Sequence, residues 1–232
     1  MVNEPLRCEL EKLKEDILKM GRLLEDQLYK SVKSLVDKNL EMAREVIKND
    51  DLVDQMELEI ERKSLGILAL KQPMAGDLRL IGTALRIIVD IERMADHAED
   101  IAHVTIDLYE QTYIKPLIDI PRMGRTVQNM VETALNAFIN EDVDLAMTLI
   151  PMEEEIDGLY DQIFRELLSY MMQDPKNIPQ ATALLLVAGH IERIGDHATN
   201  LAEMVVYMVQ GSRIDLNRIA RKARQERGQA QS

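Results

Sequence analysis

Residues 91–98 read IERMADHA, and residues 191–198 read IERIGDHA, so nearly the same octet returns 100 residues later. Both copies keep the order acid, base, second acid and histidine, as in Glu92, Arg93, Asp96 and His97. Apolar residues around each octet recur at three- and four-residue spacing, which is typical of an amphipathic helix. The octets therefore predict two equivalent helices in two equivalent halves of the chain.

The repeat extends to the preceding helix of each half. LVDKNLEMAREVIKNDDLVD, residues 35–54, matches FINEDVDLAMTLIPMEEEID, residues 138–157, at an offset of 103, with Ala43 over Ala146. The three-residue difference between the two offsets must fall in the connection before the third helix, where insertions and deletions collect. Each half is therefore predicted to be a three-helix unit, and the chain a duplicated domain.

Composition indicates an all-α protein, because aromatics make up 3%, Trp is absent and helix-favouring residues abound. Prolines and apolar periodicity predict helices at about 6–37, 39–71, 75–114, 116–139, 141–173 and 178–210, with Pro151 kinking or splitting the fifth. The predicted domains are one three-helix bundle over 1–114, a second over 115–211, and a basic, disordered tail over 212–232 with little to pack.

The net charge of −13 favours partners that are cations and disfavours nucleic acid. The single cysteine, Cys8, cannot form an internal disulfide, and the first residues have no signal-peptide apolar run. No apolar stretch approaches the length of a membrane span. These features predict a cytoplasmic protein whose membrane contact is peripheral at most, with Arg213 to Arg227 as the segment that could touch anionic lipid.

Acids at helical spacing are the candidate functional residues. Glu92, Asp96 and Asp100 fall on one stripe of the third helix, which the helical wheel turns away from the apolar face. Stacked carboxylates repel, and hard cations would compensate that repulsion. With acid pairs of the preceding helices, the predicted metal ligands are Glu57, Glu61, Glu92, Asp96, Asp100, Asp157, Asp161, Glu192 and Asp196.

Acids at this spacing also occur on ordinary solvated faces, so a structural alternative stays open. Arg93 and Arg193 lie beside the stripe and could simply neutralise it. His97 and His197 fall at the edge of the apolar face and off the stripe. We interpret them as packing or supporting residues rather than as metal ligands.

The sequence resembles the PhoU family of phosphate-uptake regulators over nearly its whole length. KQPMAGDLRLIGTALRIIVDIERMADHAEDIA, residues 71–102, and LLSYMMQDPKNIPQATALLLVAGHIERIGDHATNLAE, residues 167–203, carry the resemblance. It implies two homologous three-helix bundles with surface metal clusters held by Glu/Asp-x-x-x-Asp motifs. The sequence does not choose between iron, zinc, manganese and magnesium as the metal. Glu92 with Asp96, Glu192 with Asp196, and Asp157 with Asp161 fit that motif, whereas Glu57 and Glu61 depart from it by ending in Glu.

The resemblance also implies a regulator rather than an enzyme. Family members are similar in repressing the phosphate-starvation response and phosphate uptake, linking the ATPase of the phosphate ABC transporter to a sensor histidine kinase, and a homodimer is expected. The residues agree in offering no phosphate-cradling glycine loop and no nucleophilic triad.

Two other classes remain as alternatives. A carboxylate-bridged metal protein with a catalytic or storage role would need Glu-x-x-His motifs in a bundle core, and the chain lacks them. A nucleic-acid binder acting through the basic tail is disfavoured by the acidic body and the lack of interleaved aromatics.

Overall fold

The computed structural model describes residues 4–216 together with residues 218 and 219. This part of the chain is built from α-helices and contains no strand, which confirms the all-α prediction. The helices are α1 (Glu4–Asp37), α2 (Leu40–Lys71), α3 (Ala75–Leu108), α4 (Asp119–Asn140), α5 (Val143–Met147), α6 (Leu149–Gln173) and α7 (Ile178–Gln210), with a 3-10 turn at Pro175–Asn177 before α7.

Two three-helix bundles form, as the internal repeat predicts. Helices α1, α2 and α3 make the first, and α4, α6 and α7 make the second, with the short α5 leading into α6. The apolar stripe of α1, including Leu13, Ile17, Leu24 and Leu28, is completely buried. Burial of such stripes is what stabilises each bundle, at about 25 cal/mol for each Å² of apolar surface removed from water.

The bundles share one continuous core. The most extensive contact in the chain joins α3 of the first bundle to α7 of the second, and α1 also packs on α4. Gly21 permits that second contact, because a Cβ atom there would lie 2.5 Å from Cδ1 of Leu135. The two repeated octets therefore lie on helices that face each other.

The connection between the bundles spans residues 109–118, so the predicted boundary between 114 and 115 falls inside it. Gln180 of α7 holds this segment, because its Oε1 accepts a hydrogen bond from the Ile114 N–H at 2.6 Å and its Nε2 donates to the Thr112 carbonyl at 3.1 Å. Tyr113 donates its hydroxyl to the Leu35 carbonyl at 2.6 Å. These contacts explain why α3 ends at Leu108 rather than at the predicted residue 114.

The predicted fifth helix is split, but the break precedes Pro151. Helix α5 ends at Met147, and α6 begins at Leu149, so Pro151 occupies the third position of α6. Proline is tolerated in the first turn of a helix because those N–H groups have no intrahelical partner. Pro151 therefore marks the start of α6 rather than a kink within it.

The segment after Gly211 differs from the prediction that it has little to pack. Leu216 is 1% exposed, and its N–H donates to Glu203 Oε1 of α7 at 2.7 Å. Arg213 lies over the ring of Tyr207 at 5.8 Å. The start of the predicted tail thus packs on α7, whereas residues 217 and 220–232 lie outside the described residues.

None of the helices in the described ranges combines the length and the apolar character required to span a membrane.

Candidate metal centres

The first acidic cluster lies between α2 and α3, two neighbouring helices joined by the short connection 72–74. Glu92 and Asp96 of α3 interact electrostatically with Asp50, Asp54 and Glu57 of α2. Because the two helices run antiparallel, residues later in α3 lie beside residues earlier in α2. Carboxylates of both helices therefore face one another across a shared groove.

Asp50 is the most perturbed acid of this first cluster. Burial, followed by repulsion from Glu99, Asp54, Asp96 and Glu92, raises the pKa of Asp50 to about 7. Its Oδ1 atom is buried and has no hydrogen-bond partner among the described residues. An acid in this environment is costly to ionise unless a cation accompanies it.

Arg93 supplies part of the counter-charge, as the structural alternative expects. Its Nη1 lies 3.1 Å from Asp96 Oδ2, and its Nε lies 3.3 Å from Glu92 Oε2. Nevertheless, burial and the neighbouring carboxylates raise the pKa of Glu92, and the attraction of Arg93 lowers it less than these raise it. One guanidinium leaves the cluster with excess negative charge.

The second acidic cluster has the same construction between α6 and α7. Glu153 and Asp157 of α6 lie near Glu192 and Asp196 of α7. Burial, followed by repulsion from Asp196, raises the pKa of Glu153 to about 7, although Thr199 donates a hydrogen bond to its Oε2 at 3.1 Å. Each bundle thus brings four or more carboxylates together at its second and third long helices.

The repeat identifies which α2 and α6 residues are equivalent. At the offset of 103, Asp50 falls over Glu153 and Asp54 over Asp157. Both pairs fit the Glu/Asp-x-x-x-Asp spacing and both face the third helix of their bundle. Applying this offset to the acids, rather than searching for spacing alone, would have found Asp50 and Glu153.

Relative to these pairs, the predicted pair Glu57 with Glu61 lies seven residues, about two turns, further along α2. The predicted pair Asp157 with Asp161 lies four residues, about one turn, further along α6. Glu57 is half-buried and interacts electrostatically with Asp54 and Asp96 of the first cluster, whereas Glu61, one turn further along α2, is exposed. Asp161 is exposed, one turn beyond the residues that face Asp196. The predicted ligands Glu57 and Asp157 lie within the two clusters, and the structure adds Asp50, Asp54 and Glu153 to them.

The acids of α3 and α7 are also less exposed than their helical wheel predicts. Glu92, Asp96, Glu192 and Asp196 are half-buried, because the neighbouring helix of the bundle packs beside the acid stripe. A wheel separates a stripe from the apolar face of its own helix, but it contains no information on what lies beside that stripe. This partial burial is the main cause of the raised pKa values of Glu92 and Glu192.

The Asp100 side chain lies at the contact between the bundles, away from the acid stripe on which the helical wheel places it. Its Oδ2 is 3.3 Å from His190 Nδ1 and 3.7 Å from His97 Nδ1. The two imidazoles contact each other through their Nδ1 atoms at 3.3 Å. Burial is the largest cause that lowers the pKa of each histidine.

The related octet places His197 in a similar position on α7. Its Nδ1 lies 2.8 Å from Asp90 Oδ1 of α3. His97 and His197 are thus partly buried between the bundles, as their wheel positions predict, but each has a polar partner on the opposite helix. Those partners, His190 and Asp90, are themselves 100 residues apart.

Comparison with known proteins shows the family to which this chain belongs. A family model described as the PhoU domain matches twice, at residues 17–105 and 120–205, and so covers both bundles. The chain belongs to the PhoU family.

Relatives of this PhoU chain share most of its length. It is 42% identical over 214 residues to a phosphate-specific transport system accessory protein PhoU homolog of Aquifex aeolicus, covering 92% of this chain and 97% of the relative. A homolog of Clostridium acetobutylicum, with the same descriptive name, is 36% identical over 218 residues, covering 94% of this chain and 100% of the relative.

Solved PhoU structures have the same fold. The crystal structure of PhoU from Pseudomonas aeruginosa superposes with a TM-score of 0.86 at 38% identity, covering 89% of this chain and 99% of the other. A structure described as the phosphate transport system regulatory protein PhoU from Streptococcus pneumoniae gives 0.84 at 30% identity, covering 90% and 99%. The tandem three-helix architecture is therefore that of PhoU proteins.

The donor atoms of the two acidic clusters suit hard cations. Carboxylate oxygens are the usual ligands of magnesium, manganese and related ions, and acids of two helices in each bundle are near enough to repel one another. Among the described residues, no three carboxylates of these clusters have oxygens within 4.8 Å of one another, so side chains would have to rotate to share an ion. The buried, unpartnered Oδ1 of Asp50 is available as a donor. The donor chemistry of these acids is therefore that of a hard-cation site, and oxygen-only ligation disfavours copper and soft metals.

Proposed function

We propose that this protein is a negative regulator of the phosphate-starvation response and of phosphate uptake. The observation that carries the proposal is the double PhoU-domain match, which spans both bundles, together with relatives named as phosphate-specific transport system accessory proteins. A helical protein without a nucleophilic triad or a phosphate-cradling loop in its sequence fits an adaptor better than an enzyme.

The proposed adaptor links two partners in the cytoplasm, the ATPase subunit of the phosphate ABC transporter and the sensor histidine kinase of the phosphate regulon. Exposed apolar side chains on the outer helix of each bundle support docking through helix faces. Leu65 of α2 is 51% exposed, and its equivalent at the offset of 103, Leu168 of α6, is 43% exposed. A homodimer and a peripheral membrane contact belong to the same proposal.

The two acidic clusters are proposed to hold metal cations. The raised pKa values of Asp50 and Glu153, both about 7, support this, because a bound cation would offset the burial and repulsion that cause them. Iron, zinc, manganese and magnesium are the candidate ions. The cations would brace α2 against α3 and α6 against α7, and so fix the helix faces that partners contact.

Deletion of the gene tests the proposed function. In phosphate-rich medium, a host that lacks its single copy should express phosphate-starvation genes constitutively, because the link from transporter to kinase is lost. A reporter fused to a starvation promoter measures this, with a plasmid-borne copy of the gene restoring repression as the control. Normal repression in the deleted strain would refute the proposal.

A further inference from the structure

A third cluster of possible ligands lies outside both acidic clusters, at the contact of α3 with α7. It joins His97 and Asp100 of the first bundle to His190 of the second. The distances between their ligand atoms are 3.3 Å for the two Nδ1 atoms, 3.3 Å for His190 Nδ1 to Asp100 Oδ2, and 3.7 Å for His97 Nδ1 to Asp100 Oδ2. The three atoms thus form a nearly equilateral triangle.

These distances match one face of a tetrahedral metal site. Bonds of about 2.0–2.1 Å at a tetrahedral angle place neighbouring ligand atoms about 3.3 Å apart. Two edges of the triangle have this length, and the third needs to shorten by only a few tenths of an ångström. The Asp100 side chain is 52% exposed, so water can reach the carboxylate side of the triangle.

We propose that His97, Asp100 and His190 form a binding site for Zn²⁺ or a similar divalent transition metal, with water as the fourth ligand. Two imidazole nitrogens and one carboxylate oxygen are a ligand set that zinc commonly uses. This donor set separates the site from the oxygen-only acidic clusters, which favour harder ions. The site would also join the two bundles directly, because its ligands come from both.

The other half of the chain provides an internal comparison. At the offset of 100, His97 and Asp100 of α3 correspond to His197 and Asn200 of α7. His190 of α7 corresponds to Asp90 of α3. Here His197 Nδ1 lies 2.8 Å from Asp90 Oδ1, and Asn200 Nδ2 donates to the same oxygen at 3.5 Å.

This second set differs from the first in the short hydrogen bond between His197 and Asp90. A separation of 2.8 Å is an ordinary hydrogen-bond length and is shorter than a tetrahedral edge of about 3.3 Å. Asn200 also replaces the carboxylate by a neutral amide, which is a weaker ligand. His97, Asp100 and His190 therefore have the spacing of metal ligands. Their equivalents instead form a short hydrogen-bonded pair, His197 with Asp90, beside the neutral Asn200.

Nitrogen NMR of the imidazole rings tests the site, because carboxylate clusters do not contribute to that signal. The full-length, chelator-treated protein is titrated with Zn²⁺ in the presence of excess Mg²⁺, which occupies oxygen-only sites. We expect about one equivalent of Zn²⁺ to shift the ring nitrogens of His97 and His190 while the exposed His103 keeps its signals. Loss of a ligand should weaken this binding by at least about 100-fold, since even supporting residues of metal sites contribute 10–100-fold.

The decisive variants are Asp100→Asn, which copies Asn200 of the other half, and His190→Gln. Asp100 is exposed, so its substitution should leave the fold and the melting temperature of the metal-free protein unchanged. The matched control is His103→Gln, on the same helix but outside the triangle. Zn²⁺ binding with wild-type affinity in Asp100→Asn and His190→Gln would overturn the proposal, as would wild-type imidazole signals that do not move or that move equally for all four histidines.

Discussion

Neutralising Asp96 and Asp196 together should remove most of the metal bound by the acidic clusters. The expected effect of Asp96→Asn with Asp196→Asn is a loss of Mn²⁺ affinity of at least about 10-fold at each cluster, because each substitution removes a charged oxygen ligand. The measurement is elemental analysis after equilibrium dialysis against Mn²⁺. Helicity should not change, since both carboxylates are only half-buried.

The same double variant should lose the stabilisation that a bound ion provides. At a free ion concentration 100 times its dissociation constant, one site stabilises the folded state by about 2.7 kcal/mol. For a chain of this length, that corresponds to roughly 5–11 °C in melting temperature. Wild-type protein should show this rise on adding Mn²⁺, and the double variant should not.

Glu61→Gln combined with Asp161→Asn is the matched control. It also removes two negative charges, but from α2 and α6 and one turn beyond the acids that face α3 and α7. This control variant should keep wild-type metal content and the wild-type rise in melting temperature. If both double variants bind Mn²⁺ equally well, the acids form only a solvated face and the proposed metal sites in the two acidic clusters are wrong.

The contribution of Asp50 and Glu153 to the stability of the metal-free protein should fall as the pH rises from about 4 to about 7. The pKa of Asp50 is raised from 3.8 to about 7 in the folded state, and that of Glu153 from 4.5 to about 7. The folded state therefore holds protons that the unfolded chain releases at lower pH, so ionisation in this interval disfavours folding. Below about pH 3 both states are protonated and the penalty is absent.

Asp50→Asn and Glu153→Gln should remove this pH dependence. At pH 8, with a chelator present, each variant should melt above wild type, and at about pH 3 the difference should vanish. Solvent screening limits the effect at half-buried Asp50 to about 1 kcal/mol, or roughly 2–4 °C, and the effect at buried Glu153 should be at least as large. Thermal melts monitored by circular dichroism measure it, with the exposed Asp161→Asn as control. A difference that is the same at both pH values would contradict the assigned cause.

The fold could be predicted from the sequence because local signals and the repeat agree. The apolar stripe of α1 and the proline-marked breaks before α7 fixed helix bounds to within a few residues, as with the predicted 178–210 against the observed Ile178–Gln210. The end of α3 was missed because Gln180, which is distant in sequence, holds the following segment. No local pattern contains that contact.

The candidate sites were only partly predictable for a similar reason. Glu92, Asp96, Glu192 and Asp196 follow from the repeated octet, whereas the facing acids depend on the register of one helix against another. The offset of 103 aligns α2 with α6 rather than with α3, but it shows that Asp50 with Asp54 and Glu153 with Asp157 are equivalent acid pairs. The contact of His97 with His190 depends on how two bundles pack together, which spacing along one helix cannot show.

The central claim is that each bundle holds cations between its second and third long helices. Anomalous diffraction from crystals of the full-length protein grown with Mn²⁺ tests it most directly. We predict anomalous peaks beside Asp50 and Asp96 in the first bundle and beside Glu153 and Asp196 in the second. Crystals that contain ordered side chains at these residues but show no anomalous peak at either position would contradict the claim.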